Sequence, residues 1–199
     1  MKFPGFAIAL LVALSLVAQQ PRRPASQTEA MYQSANASAE RKFRRIEENG
    51  QRPNPDQQPT VLTEREVNAY VASGNVKLPT GVKSVRFSGR PGVIDASARV
   101  DFDEITASRR ASNPLLALFS GVHDVHAIAR AEGSGRQGRV SVRSVELDGT
   151  TLPRVALEFF ISRYITPKYP HAGMDSTFAL PERIDTAVVG QGTLTVTQK

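Results

Sequence analysis

The most regular hydrophobic pattern in the chain lies at residues 93–102. Ile94, Ala96, Ala98, Val100 and Phe102 alternate there with Asp95, Ser97, Arg99 and Asp101. Strict two-residue alternation predicts a half-buried strand with one wet face. Residues 82–88 are its natural antiparallel partner, reached across Gly89-Arg90-Pro91-Gly92. Val125, Ala127, Ala129 and Ala131 alternate with His126, Ile128 and Arg130 and predict another strand. Residues 132–138, with Gly133, Gly135 and Gly138, predict a hairpin turn into a returning strand at 139–147. In that strand Val140 and Val142 keep one phase, and Val145 and Leu147 keep the other. The slip predicts a β-bulge between Arg143 and Val145, which bends a sheet. Further strand-like pieces lie around 178–180, 184–189 and 193–197.

Helical signals separate these strands. Thr63-Glu64-Arg65-Glu66 has the form of a capping box, with Val67, Tyr70 and Val71 then sharing one face. Asn113-Pro114 opens a short apolar helix over 115–119. Pro153 opens the most hydrophobic helix, 154–165. Its apolar residues (Val155, Ala156, Leu157, Phe159, Phe160, Ile161 and Tyr164) run nearly all round and predict burial on more than one side. Upstream, Ser26 or Thr28 can cap a polar helix running to Asn49-Gly50, followed by the proline-punctuated stretch 52–59. The order of elements predicts the α+β class: a bent antiparallel sheet with helices packed on one face. The expected domains are 1–18 as a signal peptide, 19–59 as a polar helix and proline-rich linker, and 60–199 as one folded domain.

The signal-peptide reading rests on a short basic start, Met1-Lys2-Phe3-Pro4, and an uncharged apolar run at 5–17. That run is short for a bilayer span, although an uncleaved N-terminal anchor is the other reading. Both deliver the rest of the chain outside the cytoplasm, to a periplasmic or secreted location. The absence of cysteine excludes an acylated lipoprotein and any disulfide, so burial alone must hold the fold. The formal charge of +6 suits anionic lipid head groups or envelope polymers better than nucleic acid, and equally suits simple solubility. Arg41, Lys42, Arg44 and Arg45 either complement a helix dipole or meet an anionic membrane surface.

Catalytic signals are sparse. His123 and His126, three apart in a strand, diverge to opposite faces, and too few ligands remain for a metal shell. His171 stands in a proline-rich loop without a visible partner. No Gly-x-Ser-x-Gly elbow occurs, and Ser134 sits in a hairpin turn. Asp101, Asp103 and Glu104 fall at a strand end, where solvation or helix capping is their ordinary role. The glycines of 133–138 lack the strand-then-helix setting of a nucleotide fingerprint. The expectation is a non-catalytic protein without cofactor or metal.

Side-chain size points elsewhere. Ala96 and Ala98, and Ala127 and Ala129, put small residues on the inward strand faces, opposite a helix bearing Phe159, Phe160 and Tyr164. Either that aromatic helix fills the space as core, or an acyl chain lies in a groove between sheet and helix.

Three stretches carry a family resemblance: Leu62-Thr63-Glu64-Arg65-Glu66-Val67-Asn68-Ala69-Tyr70; Gly138-Arg139-Val140-Ser141-Val142 running on to Leu152-Pro153; and Leu180-Pro181-Glu182-Arg183-Ile184 with Gly192-Thr193-Leu194-Thr195-Val196. Together they resemble small bacterial envelope proteins of the tubular lipid-binding (TULIP-like) kind, over residues 60–199. The resemblance implies a curved antiparallel sheet wrapping a helix, with an apolar lipid groove. The expected function is therefore an exported lipid- or amphiphile-binding protein contacting ligand through Ala96, Ala98, Ala127, Ala129, Phe159, Phe160 and Tyr164. The alternative is a structural or adaptor envelope protein with a filled core.

Overall fold

The structure, a computed structural model, describes residues 27–106, 120–167, 169–170 and 173–199. The signal segment 1–18, the apolar helix expected at 115–119 and His171 lie outside the described residues. The fold is α+β. Nine strands of the described residues form one antiparallel sheet: β1 (Thr60–Thr63), β2 (Val82–Arg90), β3 (Val93–Asp101), β4 (Val122–Ser134), β5 (Gln137–Leu147), β6 (Thr150–Thr151), β7 (Asp175–Ala179), β8 (Ile184–Gly190) and β9 (Thr193–Gln198). Its main path runs β1-β9-β8-β4-β3-β2, while β5 pairs with β4, β6 and β7. Between the strands lie the helices α1 (Gln27–Gly50), α2 (Glu64–Ala72), α3 (Phe102–Thr106) and α4 (Arg154–Phe160). A π-helical turn, Ile161–Ile165, continues α4.

The alternating pattern places one apolar face across β2–β5. Phe87 pairs with Ala96 and Ala96 with Ala127; Ile94 pairs with Ala129 and Ala98 with Val125. The bulge falls on β5, where Ser144 and Val142 face Ile128 and Ala129 and Arg143 is the extra residue. The extra residue returns Val142 and Val140 to the same face as Val145 and Leu147, so the apolar surface continues across the bend. The β4–β5 turn is tight, with Gly135 and Arg136 at φ 59° and 64°. Two successive left-handed residues match the twist of the flanking strands. Gly133 is required for a different reason: a Cβ there would lie 2.7 Å from that of Ala187, where β8 crosses the end of β4.

Two apolar clusters hold the described residues together. The larger packs α4 and its π turn onto one end of the sheet face, through Val100, Phe102, Leu147, Leu152, Leu157, Phe160, Tyr164 and Met174. The smaller joins α1 to the other end through Ile46, Leu62 and Val196.

This second cluster corrects the expected boundary at residue 59. Helix α1 is no tether but part of the folded body. Ala35, Ala39, Ile46 and Asn49 are buried along one of its faces. Lys42 donates to both oxygens of the buried Glu66 carboxylate at 2.7 Å. The buried Gln198 amide donates to the Ile46 carbonyl, and its oxygen accepts from Asn49. Gly50 does more than end the helix, because a Cβ would sit 2.6 Å from the Glu182 carbonyl oxygen. A polar sequence hid this packing, since most contacts besides those of Ile46 and Phe43 are made by small and hydrogen-bonded residues.

In α2 the capping box forms as expected; Glu66 and Ala69 are its buried residues, with Val67, Tyr70 and Val71 half-buried. One further expectation is corrected. Helix α4 is buried on one face only, with Val155 73% exposed on the other.

Candidate functional site

Among the described residues, the space beneath α4 is occupied by packed side chains. Phe160 and Tyr164 are buried, their rings 5.1 Å apart, and Phe102 meets Phe160 edge-on at 5.4 Å. Ala98 and Val125 pack against this cluster from the sheet. Small residues here admit the aromatic side chains, as a packed interior requires. Lipid contact expected of Phe160 and Tyr164 is thus corrected: both are core side chains. Phe159, their half-buried neighbour, belongs to neither apolar cluster.

Ala96, Ala127 and Ala129 lie beyond that core on the same sheet face, each half-buried. They adjoin a different space. Phe87 and Ile94, the strand partners of Ala96 and Ala129, help line an apolar pit of about 220 Å³. Its other walls are Glu64 and Val67 of α2, and Val189, Gly192, Thr193 and Leu194 of the β8–β9 hairpin. The surface of the pit is apolar almost throughout.

Hydrogen bonds between hairpin tips fix its shape. Gly192 N–H donates to the Gly89 carbonyl and Gly92 N–H to the Val189 carbonyl, both at 2.9 Å. Helix α2 closes the side at the open edge of β2. Asn68 donates to the Phe87 carbonyl and accepts from the Phe87 N–H, both at 2.8 Å. One helical turn earlier, the Glu64 carboxylate accepts from Gly89 N–H at 3.2 Å. Phe87 and Gly89 are alternate strand residues, so two side chains on one helical face replace a missing neighbouring strand. The pit is therefore walled by hydrogen-bonded backbone and lined by side chains that leave its centre unfilled.

Apart from Glu64, the titratable groups described below lie away from the pit. His123 and His126 diverge as their spacing predicts. His123 shares the apolar side with Phe102, ring centroids 5.8 Å apart. Its Nδ1 meets Asp148 Oδ2 at 2.5 Å and its Nε2 meets the Ser120 carbonyl at 2.6 Å. The bond to Asp148 and then that to Ser120 hold the His123 pKa above its ordinary value, and the same pairing holds Asp148 below its own. His126 points to the polar face, with Nε2 2.6 Å from Asp95 Oδ1 and Nδ1 3.7 Å from Glu146 Oε2. Both ring nitrogens thus face carboxylates, and neither is bonded to Ser97, its cross-strand partner. Asp101 caps α3 by accepting from Glu104 N–H, and with Glu104 it pairs with Lys83. No group of three or more His, Cys, Asp or Glu among the described residues is arranged to hold a metal ion.

Sequence reasoning found the alanine strip but missed the pit. Its signal was faint: Gly89 near the end of β2, where a Cβ would lie 3.1 Å from the Gly190 carbonyl oxygen, allows the hairpins to approach closely, but nothing in one chain's pattern pairs their tips. Comparison with known proteins adds no neighbour, since no family model, curated protein or solved structure matches this chain. No helix among the described residues is long and apolar enough to cross a membrane.

Proposed function

We propose that this protein is an exported, non-catalytic binder of lipid or another amphiphile, acting in the bacterial envelope by sequestration or transfer. The apolar pit carries this reading. An apolar cavity of about 150 Å³ already admits benzene, so 220 Å³ takes the end of an acyl chain or a small ring. It is below the roughly 300 Å³ at which whole drug-sized ligands are enclosed. The rest of such a ligand would run along Ala96, Ala127 and Ala129, whose small side chains leave the sheet face accessible. The basic net charge and the apolar N-terminal run support a partner at an anionic envelope surface. The resemblance to tubular lipid-binding proteins points the same way.

Native mass spectrometry of gently purified protein tests the proposal. It should find bound lipid or fatty acid; repeated preparations free of any adduct argue against it. A second reading, a structural or adaptor protein of the envelope, draws on the filled core beneath α4. It predicts no adduct and retention of a protein partner after crosslinking.

A further inference from the structure

The wet face of the same sheet carries a second concavity, of about 510 Å³, lined by residues from β2 to β5 and the turn after β5. Alternation puts it on the opposite side from the alanine strip and the pit. Its charges are sorted across the strands. Arg86 on β2 and Arg99 on β3 provide two guanidinium groups, while Asp124 on β4 and Glu146 on β5 provide carboxylates. Register makes the sorting definite: Arg86 pairs with Ser97, Ser97 with His126, and His126 with Glu146, forming one row across four strands. Arg99 and Asp124 are partners in the adjoining row.

Neighbouring cations are engaged. Lys83 pairs with Asp101 and Glu104, and Arg90 approaches Asp95 at 3.9 Å. Arg86 and Arg99, by contrast, make no hydrogen bond or ion pair among the described residues, nor does the Asp124 carboxylate, even though Arg99 and Asp124 face each other. Arg86 and Arg99 are diagonal neighbours on one face of adjacent strands, and together two guanidinium groups present more N–H donors than a carboxylate can use and match the several oxygens of a phosphate. One to three strand spacings, about 5–14 Å, separate the basic from the acidic side chains, with Arg99 and Asp124 the nearest pair. The shorter of these separations exceed the charge separation in an α-amino acid and suit a phosphate joined to an ammonium by a short linker.

We propose that this trough binds a zwitterionic phosphate ester, with the phosphate on Arg86 and Arg99 and the ammonium on Asp124 and Glu146. The site is independent of the pit, and its ligand is either a soluble ester or the head group of a phospholipid.

Calorimetric titration of the full chain with phosphoethanolamine, inorganic phosphate and ethanolamine tests it. Phosphoethanolamine should bind saturably and tighter than either fragment. Replacing Arg86 and Arg99 together by Ala should weaken phosphoethanolamine and phosphate alike by about tenfold or more. Asp124→Asn, a near-isosteric exposed change, should weaken phosphoethanolamine while leaving phosphate unchanged. Sedimentation with phosphatidylethanolamine vesicles separates the sources. Co-sedimentation lost in the arginine variant assigns a lipid head group, and soluble binding without co-sedimentation assigns a free ester. Absence of saturable binding, equal affinity for phosphate and phosphoethanolamine, or binding untouched by the arginine changes would overturn the proposal.

Discussion

Asn68 of α2 pairs with Phe87 of β2 as a neighbouring strand would, its carboxamide both donating to and accepting from the same residue's backbone at 2.8 Å. Among the described residues the sheet ends at β2, and an unpaired strand edge is a template for association with other chains. Asn68 and Glu64 occupy that edge at Phe87 and Gly89, and Glu64 with Val67 of the same helix walls the pit. Edge protection and the shape of the candidate site therefore depend on the same helix.

Asn68→Ala should cost about 1–3 kcal/mol, because a half-buried N–H and carbonyl lose their partners together. Urea unfolding measures the loss, and light scattering should show self-association of the variant rising with concentration. Unchanged stability and a strictly monomeric variant would show that the carboxamide contributes neither function.

Glu66 joins α1 to α2. Burial by itself would raise its pKa, but bonds from Lys42, Ser38 and Thr63 outweigh burial and lower it from 4.5 to about 2. A depressed folded-state pKa stabilises fully above the unfolded value and is lost as pH falls through the folded one. The Glu66 contribution should therefore be complete above about pH 4.5 and decline toward pH 2. Glu66→Gln should lower stability at neutral pH by roughly 2–3 kcal/mol, less than a fully desolvated pair because Lys42 remains partly wet. Unfolding curves of both proteins at pH 7 and pH 3 should converge toward the acid end. A constant gap contradicts the assignment.

His123 works in the opposite direction. Its pKa is raised by Asp148 and then by the Ser120 carbonyl, so its contribution is complete below the unfolded value of 6.5 and lost as pH rises through the raised folded value. Asp148, held low by the same bond, loses its contribution as pH falls through its depressed value. The pairing is therefore strongest between the two, and Asp103 adds a smaller favourable charge. Melting temperature should fall from pH 6.5 upward in the natural protein and stay flatter in His123→Phe. Equal slopes would rule out this histidine as the source.

Tyr164 presents a different signature. Its hydroxyl is buried and has no hydrogen-bond partner among the described residues, within the π-helical turn. A buried donor left unsatisfied costs about 1–3 kcal/mol. Tyr164→Phe should leave stability equal or raise it by up to about 1 kcal/mol, read by chemical denaturation. A loss of more than that would reveal a partner for the hydroxyl.

Local pattern carried much of this fold. The alternation in β3, the capping box at Thr63 and the phase slip around Arg143 each reflect short-range geometry, and each appears where the residues place it. What could not be read is what distant polar residues do to one another. Asn49 and Gln198 lie 149 residues apart in sequence, yet their buried amides bond. Nothing in the polar composition of α1 distinguishes that arrangement from a solvated helix. The site shows the same division. The alanines were visible from their spacing, and so was the wet face carrying Ser97 and Arg99. Which space the alanines border depends on where two hairpin tips meet, and which charges adjoin depends on strand register. Phe160 and Tyr164 illustrate the resulting error: their size near an alanine face fits a lining or a core, and packing decided for the core.

Binding of a fluorescent fatty acid to the natural protein and to Ile94→Trp tests the central claim most directly. Ile94 lines the pit and belongs to neither apolar cluster, so a larger side chain there fills the space without disturbing the main core. The natural protein should bind the probe saturably, and the variant, equally folded by circular dichroism, should lose about tenfold or more in affinity. Probe binding that is absent in the natural protein, or undiminished in the variant, contradicts the account.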